Sequence, residues 1–313
     1  MATGSLSLLE AAKYGSTTLG RGVVSTLIQE SPILEMLPFT SITGNALKVT
    51  VEDTLPAPAF RDVNETYTRT HGTDTERFFG CAILGGEVFI DNYIVRVQAD
   101  QISAKARQYS KFAKAMSRTF DASFFDGTGT SKDFKGINSL ITEGLGQTVT
   151  GASANGDALT LDLLDTAFDS LRSQSSPDAL LMNRLNRRNI NKLARSTYSG
   201  VSLIDVGTDV FGRQVNTYNG VPIRIIGDDI SGTPILSHTE TKGTSSLCSS
   251  IYAIAFGTDE NVYGILGLGG SFDVVDFGET EAAPGHLGRV EVYPGVVVSN
   301  SFSVCRLSGM LTV

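Results

Sequence analysis

The sequence is short of the residues from which catalytic sites and covalent frameworks are usually built. Its 313 residues contain only three cysteines, Cys81, Cys248 and Cys305, and three histidines, His71, His238 and His286. Widely spaced cysteines in odd number exclude a disulfide framework and a zinc site made of cysteine pairs. They read as buried free thiols in a reducing cytoplasm. No run approaches the ~18 apolar residues that a transmembrane helix needs. Met1 to Glu10 lacks a basic stretch followed by an apolar one, so no signal peptide is read. Basic charge is in deficit: Lys+Arg 25 against Asp+Glu 33, a net charge of −8. Sequence-reading of nucleic acid needs a concentrated basic face and is disfavoured. Enclosing DNA is a different matter, because a container that gripped phosphates tightly would resist filling and release.

Catalytic motifs are missing as well. No two histidines share a helical i, i+4 spacing, there is no HExxH, and the three read as loop histidines. No G-x-S-x-G elbow occurs. Asp126 to Lys132 has the flavour of a phosphate loop, but it follows a helix instead of leading into one. Gly264 to Gly270 lacks dinucleotide-binding spacing and reads as a turn. Asp228-Asp229 sits where a strand meets a turn, which suits a turn role. No catalytic, metal or cofactor residue is expected.

What is present is an uneven distribution of apolar residues. The 33 glycines are spread along the chain and mark turns and strand ends. Residues 1–43 read as an N-terminal arm. Leu6, Leu8, Leu9 and Ala12 suit a short helix. Val23, Val24, Leu27, Ile28, Ile33, Leu34 and Leu37 suit helical turns whose partners lie on another molecule, or else a helical hairpin packed on its own domain. Residues 44–92 read as an extended two-stranded loop. One strand starts at Ala46 and the other runs from Phe78 to Val97, with Pro56-Ala-Pro58 and a polar stretch between them. Such a hairpin is marginal alone in water and needs a surface. Its charged residues Arg61, Asp62, Glu65, Arg69, Glu76 and Arg77 are the candidate inter-subunit contacts, or else are plainly solvent-exposed.

Residues 98–126 carry the clearest signal. Ile102, Ala106, Tyr109, Phe112, Ala113, Met116, Phe120 and Phe124 recur at spacings of three and four, with Lys105, Arg107, Lys111, Lys114 and Arg118 between them. A long amphipathic helix follows, with Gly127 expected as its left-handed cap. Beyond it, Thr160 caps a helix with Leu164, Ala167, Phe168 and Leu171 inside. Residues 177–183 form a buried strand. A basic helix over 184–196 reads as a solvated or inter-subunit face. Tyr218-Asn219-Gly220-Val221-Pro222-Ile223 is a turn entering a strand. Strands are expected at 251–256, 261–268, 271–277, 289–298 and 301–313. The class is α+β.

The order of these parts resembles the HK97-fold major capsid proteins of tailed bacteriophages. The residues that carry the resemblance are Phe124-Phe125-Asp126-Gly127-Thr128-Gly129 at the helix end, Lys135-Gly136-Ile137 after it, and Asn219-Gly220-Val221-Pro222-Ile223. The resemblance implies an HK97-like fold with an arm (1–43), an extended loop (44–92), a spine helix opening a peripheral domain (93–158), an axial domain (159–285) and closing strands of the peripheral and axial domains (286–313). It implies a structural protein that self-assembles through pentamers and hexamers into an icosahedral shell around double-stranded DNA. Further implied partners are a portal protein, a separate scaffolding protein and a decoration protein, with no membrane; the location implied is the virion, after assembly in the host bacterial cytoplasm. About forty residues precede the loop, so a fused scaffold is expected to be absent or already removed. The loop is rich in arginine, with Lys48 at its base, so no covalent cross-linking is expected. The alternatives are an encapsulin-type cellular shell of the same fold, an enzyme with an unrecognised site in 159–285, and another virion part such as a tail or decoration protein.

Overall fold

The computed structural model describes residues 18–97, 101–130, 132–171, 176–197, 204–208, 214–258, 260–267, 270, 272–281 and 283–312. The helix expected over 6–12 lies outside the described residues.

Helix α1 (Thr18–Glu30) runs into the short α2 (Pro32–Met36). Ser31 separates them with extended backbone. Its hydroxyl accepts from the Leu34 N–H at 3.1 Å, and Pro32 takes the first helical position, so Ser-Pro ends one helix and caps the next. Then come β1 (Phe39–Ser41), β2 (Ala46–Thr54), β3 (Thr73–Gly80), β4 (Leu84–Asp91), α3 (Asn92–Val97) and the long α4 (Gln101–Asp126). Next are α5 (Ile137–Thr142), β5 (Gln147–Thr150), β6 (Asp157–Ala158), α6 (Leu161–Asp169), β7 (Ala179–Met182) and α7 (Arg184–Thr197). The chain continues through β8 (Ile204–Thr208), β9 (Gln214–Tyr218), β10 (Val221–Ile225), β11 (Glu240–Lys242), β12 (Ser245–Ile254) and β13 (Val262–Leu266). It closes with β14 (Asp273–Glu279), β15 (Gly285–Val292), β16 (Pro294–Val298) and β17 (Val304–Leu311).

The largest sheet runs β5-β17-β12-β7-β10-β9-β8, with β11 on β12 and β6 on β17. Its central strands are buried on both faces, and strand alternation divides their side chains between two cores. Ala179, Leu181, Tyr252 and Ile254 join the larger core. Leu180, Met182, Ile251 and Ala253 join the smaller, under α6 and α7, with Leu164, Ala167 and Ile190. Thr160 caps α6 as expected, accepting from Leu163 N–H. Asn219 (φ 49°) and Gly220 (φ 81°) form the two-residue turn between β9 and β10, a geometry that asparagine and glycine tolerate.

Helix α4 is 26 residues long, about 39 Å at ~1.5 Å per residue. Tyr109, Ala113, Met116, Phe120, Phe124 and Phe125 are buried along it. Phe120 meets Phe39 and Phe134 at ring separations of 6.4 and 5.6 Å; Phe124 stands edge-on to Phe125 at 5.2 Å, and Phe125 reaches Tyr252 at 5.0 Å. This aromatic chain couples the helix to β12. Gly127 does end the helix, but not in the left-handed conformation expected of it. Its N–H still bonds Ser123 O at 2.9 Å, and a Cβ there would lie 2.2 Å from Phe134 O and 2.5 Å from Ser123 O. The glycine is required by the closeness of the returning chain.

Two expectations are corrected. First, the apolar residues of 18–43 are not waiting for another molecule. Val23, Leu27, Ile28, Ile33, Leu34, Leu37, Phe39 and Ile42 are buried in this chain's larger core, where α1 packs along α4. Second, Phe78 to Val97 is not one strand. β3 ends at Gly80, β4 pairs with β15 in the sheet β14-β15-β4, and Asn92–Val97 is helical. The closing strands are shared among sheets: β15 pairs with β14 and β4, β16 with β13, and β17 lies inside the largest sheet.

Candidate assembly surfaces

β2 and β3 pair only with each other, from Ala46 opposite Gly80 to Thr54 opposite Thr73. At the base, Leu47 and Val49 pack against the core and Phe79 is buried in it. Beyond the base, every residue from 54 to 76 is exposed. The tip holds its shape through its own polar contacts. Arg61 donates to Glu65 O at 3.1 Å, Asp62 N–H donates to the Glu65 carboxylate at 3.0 Å, and Thr70 donates to Ala57 O. Thr54 and Thr73 share a hydroxyl–hydroxyl bond of 2.6 Å where the strands part.

The six candidate contact residues therefore divide. Arg61, Asp62 and Glu65 are joined within the tip, and the Arg61 guanidinium also lies 5.1 Å from the centre of the Tyr67 ring. Glu76 pairs with Lys48 across the strands at 2.5 Å. Arg77 approaches Glu143 at 3.8 Å, beside the Lys135–Glu143 pair at 2.5 Å, and so ties the hairpin base to the end of α5. Arg69 has no ion pair among the described residues.

Charge patterning drew attention away from the apolar part of the tip. Leu55 (77%), Phe60 (108%), Val63 (83%) and Tyr67 (66%) are exposed there, with Phe78 (66%) lower on the same hairpin. Their signal was in the sequence: Leu55-Pro-Ala-Pro-Ala-Phe60 is an uninterrupted apolar run. A second exposed apolar set, Phe89, Tyr93, Ile94, Val97 and Phe277, lies over β4, α3 and β14. Single exposed apolar residues are ordinary, whereas clusters of this kind mark interaction surfaces.

Buried polar groups fasten the elements beneath. The Ser31 hydroxyl donates to the Asp121 carboxyl of α4, in addition to capping α2. Asp121 is fully enclosed, and the loss of solvent pushes its pKa up to about 8 against the opposing pull of Ser31. Glu35 of α2 pairs with Arg224 of β10 at 3.1 Å, both side chains nearly inaccessible. Asn183 and Asn186, which no motif flagged, donate to the Ser249 hydroxyl at 2.9 and 3.2 Å and join α7 to β12.

Among the described residues, no three His, Cys, Asp or Glu side chains gather where a metal ion could sit. Cys248 and Cys305 are buried and Cys81 half-buried, all as free thiols; burial pushes the Cys81 and Cys305 pKa values up. His71 is in the exposed tip. His286 departs from the loop expectation: it sits half-buried in β15 opposite Ile90. The Asp126–Lys132 segment is held by Asp133, which accepts from Thr128 N–H at 2.8 Å, so an acidic side chain occupies the place an anion would need.

The model of the phage capsid family matches residues 16–235, more than two thirds of the chain. The chain belongs to the phage capsid family. It is a structural protein with an HK97-like fold, a major capsid protein that self-associates into the icosahedral shell of a virion. No curated protein matches its sequence. Solved structures share its fold at low identity. A chain from the structure of Microbacterium phage Oxtober96 has 14% identity and a TM-score of 0.61, covering 88% of this chain and 90% of that one. The capsid of an empty GTA particle has 14% identity, a TM-score of 0.60 and 90% coverage of both chains. The holo-SrpI encapsulin complex of Synechococcus elongatus PCC 7942 has 15% identity and a TM-score of 0.66, covering 90% and 89%. The encapsulin likeness is one of fold, and does not displace the capsid reading.

Proposed function

We propose that this capsid protein closes its shell by noncovalent overlap, with the hairpin 46–80 laid on an adjacent subunit. One observation carries this reading: a 23-residue excursion, 54–76, that is exposed throughout yet carries Leu55, Phe60, Val63 and Tyr67. The tip is pre-shaped by its internal bonds, so little ordering entropy is lost on docking. Arg61, Asp62 and Glu65 spend hydrogen bonds on the tip's own backbone, which leaves the apolar side chains as anchors and Arg69 as a polar contact. Repeated contacts between unlike patches, closed by symmetry, suit a shell.

In this reading the residues around α6, α7 and β7–β12 form the axial part that gathers at the five-fold and six-fold axes. The spine α4 and the sheet β14-β15-β4 form the peripheral part. The shell assembles in the host bacterial cytoplasm, with a separate scaffolding protein, a portal and a decoration protein as partners, and encloses double-stranded DNA.

The test replaces residues 56–71 with a short Gly-Ser linker. The expected outcome is a folded protein with the parent melting temperature that no longer forms pentamers, hexamers or shells in electron micrographs. Assembly at the parental rate would sink the overlap reading. Boiled particles on a denaturing gel should run as monomers, since the basic residues of the tip, Arg61 and Arg69, are arginines, which make poor nucleophiles; a ladder of linked subunits would contradict this.

A further inference from the structure

The two helices that cover the smaller core carry opposite charge. Helix α6, Leu-Asp-Leu-Leu-Asp-Thr-Ala-Phe-Asp, has three acidic residues and no basic one. Helix α7 has five basic residues and no acidic one. Leu164 and Ala167 of α6 and Ile190 of α7 are buried in that core, so the charged side of each amphipathic helix faces away from it. Asp162, Asp165 and Asp169 are exposed, as are Arg188, Lys192 and Arg195.

These charges have little to meet within their own chain. The Tyr218 hydroxyl donates to Asp165 at 2.7 Å, and Arg195 donates to Asn191 O of its own helix at 3.1 Å. Arg184, at the start of α7, approaches Asp228 at 3.6 Å. Among the described residues no ion pair joins α6 to α7, and none is made by Asp162, Asp165, Asp169, Arg188, Lys192 or Arg195. No large apolar side chain is exposed on either helix among the described residues. Charge is therefore what these faces offer a partner.

The two stripes also match in spacing. Asp162, Asp165 and Asp169 are separated by three and then four positions; Arg195, Lys192 and Arg188, read backwards along α7, are separated by three and then four as well. Each triplet spans about 10 Å and an arc of roughly 60° on its helix. An antiparallel pairing sets Asp162 opposite Arg195, Asp165 opposite Lys192 and Asp169 opposite Arg188. A parallel one loses this register, because three would face four.

We propose that α7 of one copy docks antiparallel against α6 of a neighbouring copy through these three ion pairs; the inference rests on the reading of α6 and α7 as part of the axial region that gathers at the symmetry axes. Charge selects this occupant. Two α7 faces would set cation against cation, and two α6 faces acid against acid, so a contact between like faces is disfavoured. Each copy carries one stripe of each sign, so a closed head-to-tail ring uses every stripe once. Exposed ion pairs are individually weak and screened by salt. Their contribution is orientation and the choice of neighbour, while the hairpin supplies the apolar anchors.

The test is sedimentation velocity of the full chain over a concentration series, at about 50 and about 500 mM salt. Two double variants, Arg188→Glu/Arg195→Glu and Asp162→Arg/Asp169→Arg, leave Asp165 and its bond from Tyr218 in place. At low salt each should raise the protein concentration needed for half-assembly by at least about tenfold. The parent should itself need severalfold more protein at high salt. The quadruple variant, with both stripes reversed, should recover to within about threefold of the parent. Arg188→Glu should be rescued by Asp169→Arg and not by Asp162→Arg. Circular dichroism melts establish that each variant is folded, so that lost assembly is not lost folding. Parent-like assembly by both doubles, a loss on reversing only one of the two helices, no recovery in the quadruple, or rescue of Arg188→Glu by Asp162→Arg would overturn the proposal. The linker replacement of residues 56–71 is scored beside them: doubles that assemble as the parent does, while the linker variant does not, refute this inference and leave the overlap reading intact.

Discussion

The hairpin tip and the spine helix are neighbours in sequence and opposites in physics. Helix α4 buries Tyr109, Ala113, Met116, Phe120, Phe124 and Phe125 inside its own subunit. The tip, 54–76, buries nothing there and holds its form through short-range bonds such as those of Arg61, Asp62 and Glu65. The first region makes the subunit stable; the second, in the proposed overlap, serves the assembly. A capsid protein needs both, because a subunit must fold before it finds its neighbours and must still keep something unsatisfied for them.

The widest separation should come from matched aromatic truncations. Phe124→Ala is expected to cost about 3–5 kcal/mol of subunit stability, as measured by chemical denaturation of unassembled protein. Phe60→Ala should leave that stability within about 0.5 kcal/mol and instead slow assembly followed by light scattering. Equal losses of stability in the two variants would erase the distinction.

Asp121 gives the spine a pH signature. Its folded pKa, about 8, lies above the ordinary 3.8, so the folded state binds the extra proton. The corresponding stability is fully present below pH 3.8 and is lost as pH rises towards about 8, at a rate approaching 1.4 kcal/mol per pH unit. Asp121→Asn should remove that decline, leaving the variant more stable than the parent above pH 8 and little changed near pH 4. Urea midpoints across this range check it, and parallel pH profiles for the two proteins would refute it.

A smaller effect is expected where the spine ends. Gly127→Ala places a Cβ against two carbonyl oxygens and should cost about 1–3 kcal/mol in thermal or urea unfolding. The smallest belongs to the hairpin: Lys48→Ala removes an exposed ion pair with Glu76 and should shift subunit stability by no more than about 1 kcal/mol.

The same contrast explains what could be read without coordinates. Helix α4 was legible because its periodicity is internal: apolar residues return every three or four positions with no Gly or Pro between them. The cap at Thr160 and the turn at Asn219-Gly220 were legible for the same reason, since each depends on residues a few positions apart. The end of the hairpin was not. The apolar run continues without a break from Phe78 to Leu84 apart from Gly80, and the interruption is made by distant partners: Cys81 N–H bonds Asn45 O, and Ala82 N–H bonds Pro294 O. The role of 18–43 was misread because its apolar residues meet α4, with Ser31 and Asp121 ninety positions apart. At the candidate site, the hairpin and its charged residues were visible. The internal pairing of Arg61 with Glu65 and the exposure of Phe60 and Val63 were not, because composition does not say which way a side chain faces.

By itself the sequence determined the elements whose causes are local: the long amphipathic spine, the capped helix α6, the β9–β10 turn, and a polar excursion too poor in apolar residues to hold a core. Tertiary structure alone decided which apolar segments find partners within the subunit and which stay exposed. The physical reason is that burial depends on contacts between residues far apart in the chain. Helix α1 is covered because α4 lies beside it, and Phe60 is bare because nothing in its own subunit reaches it.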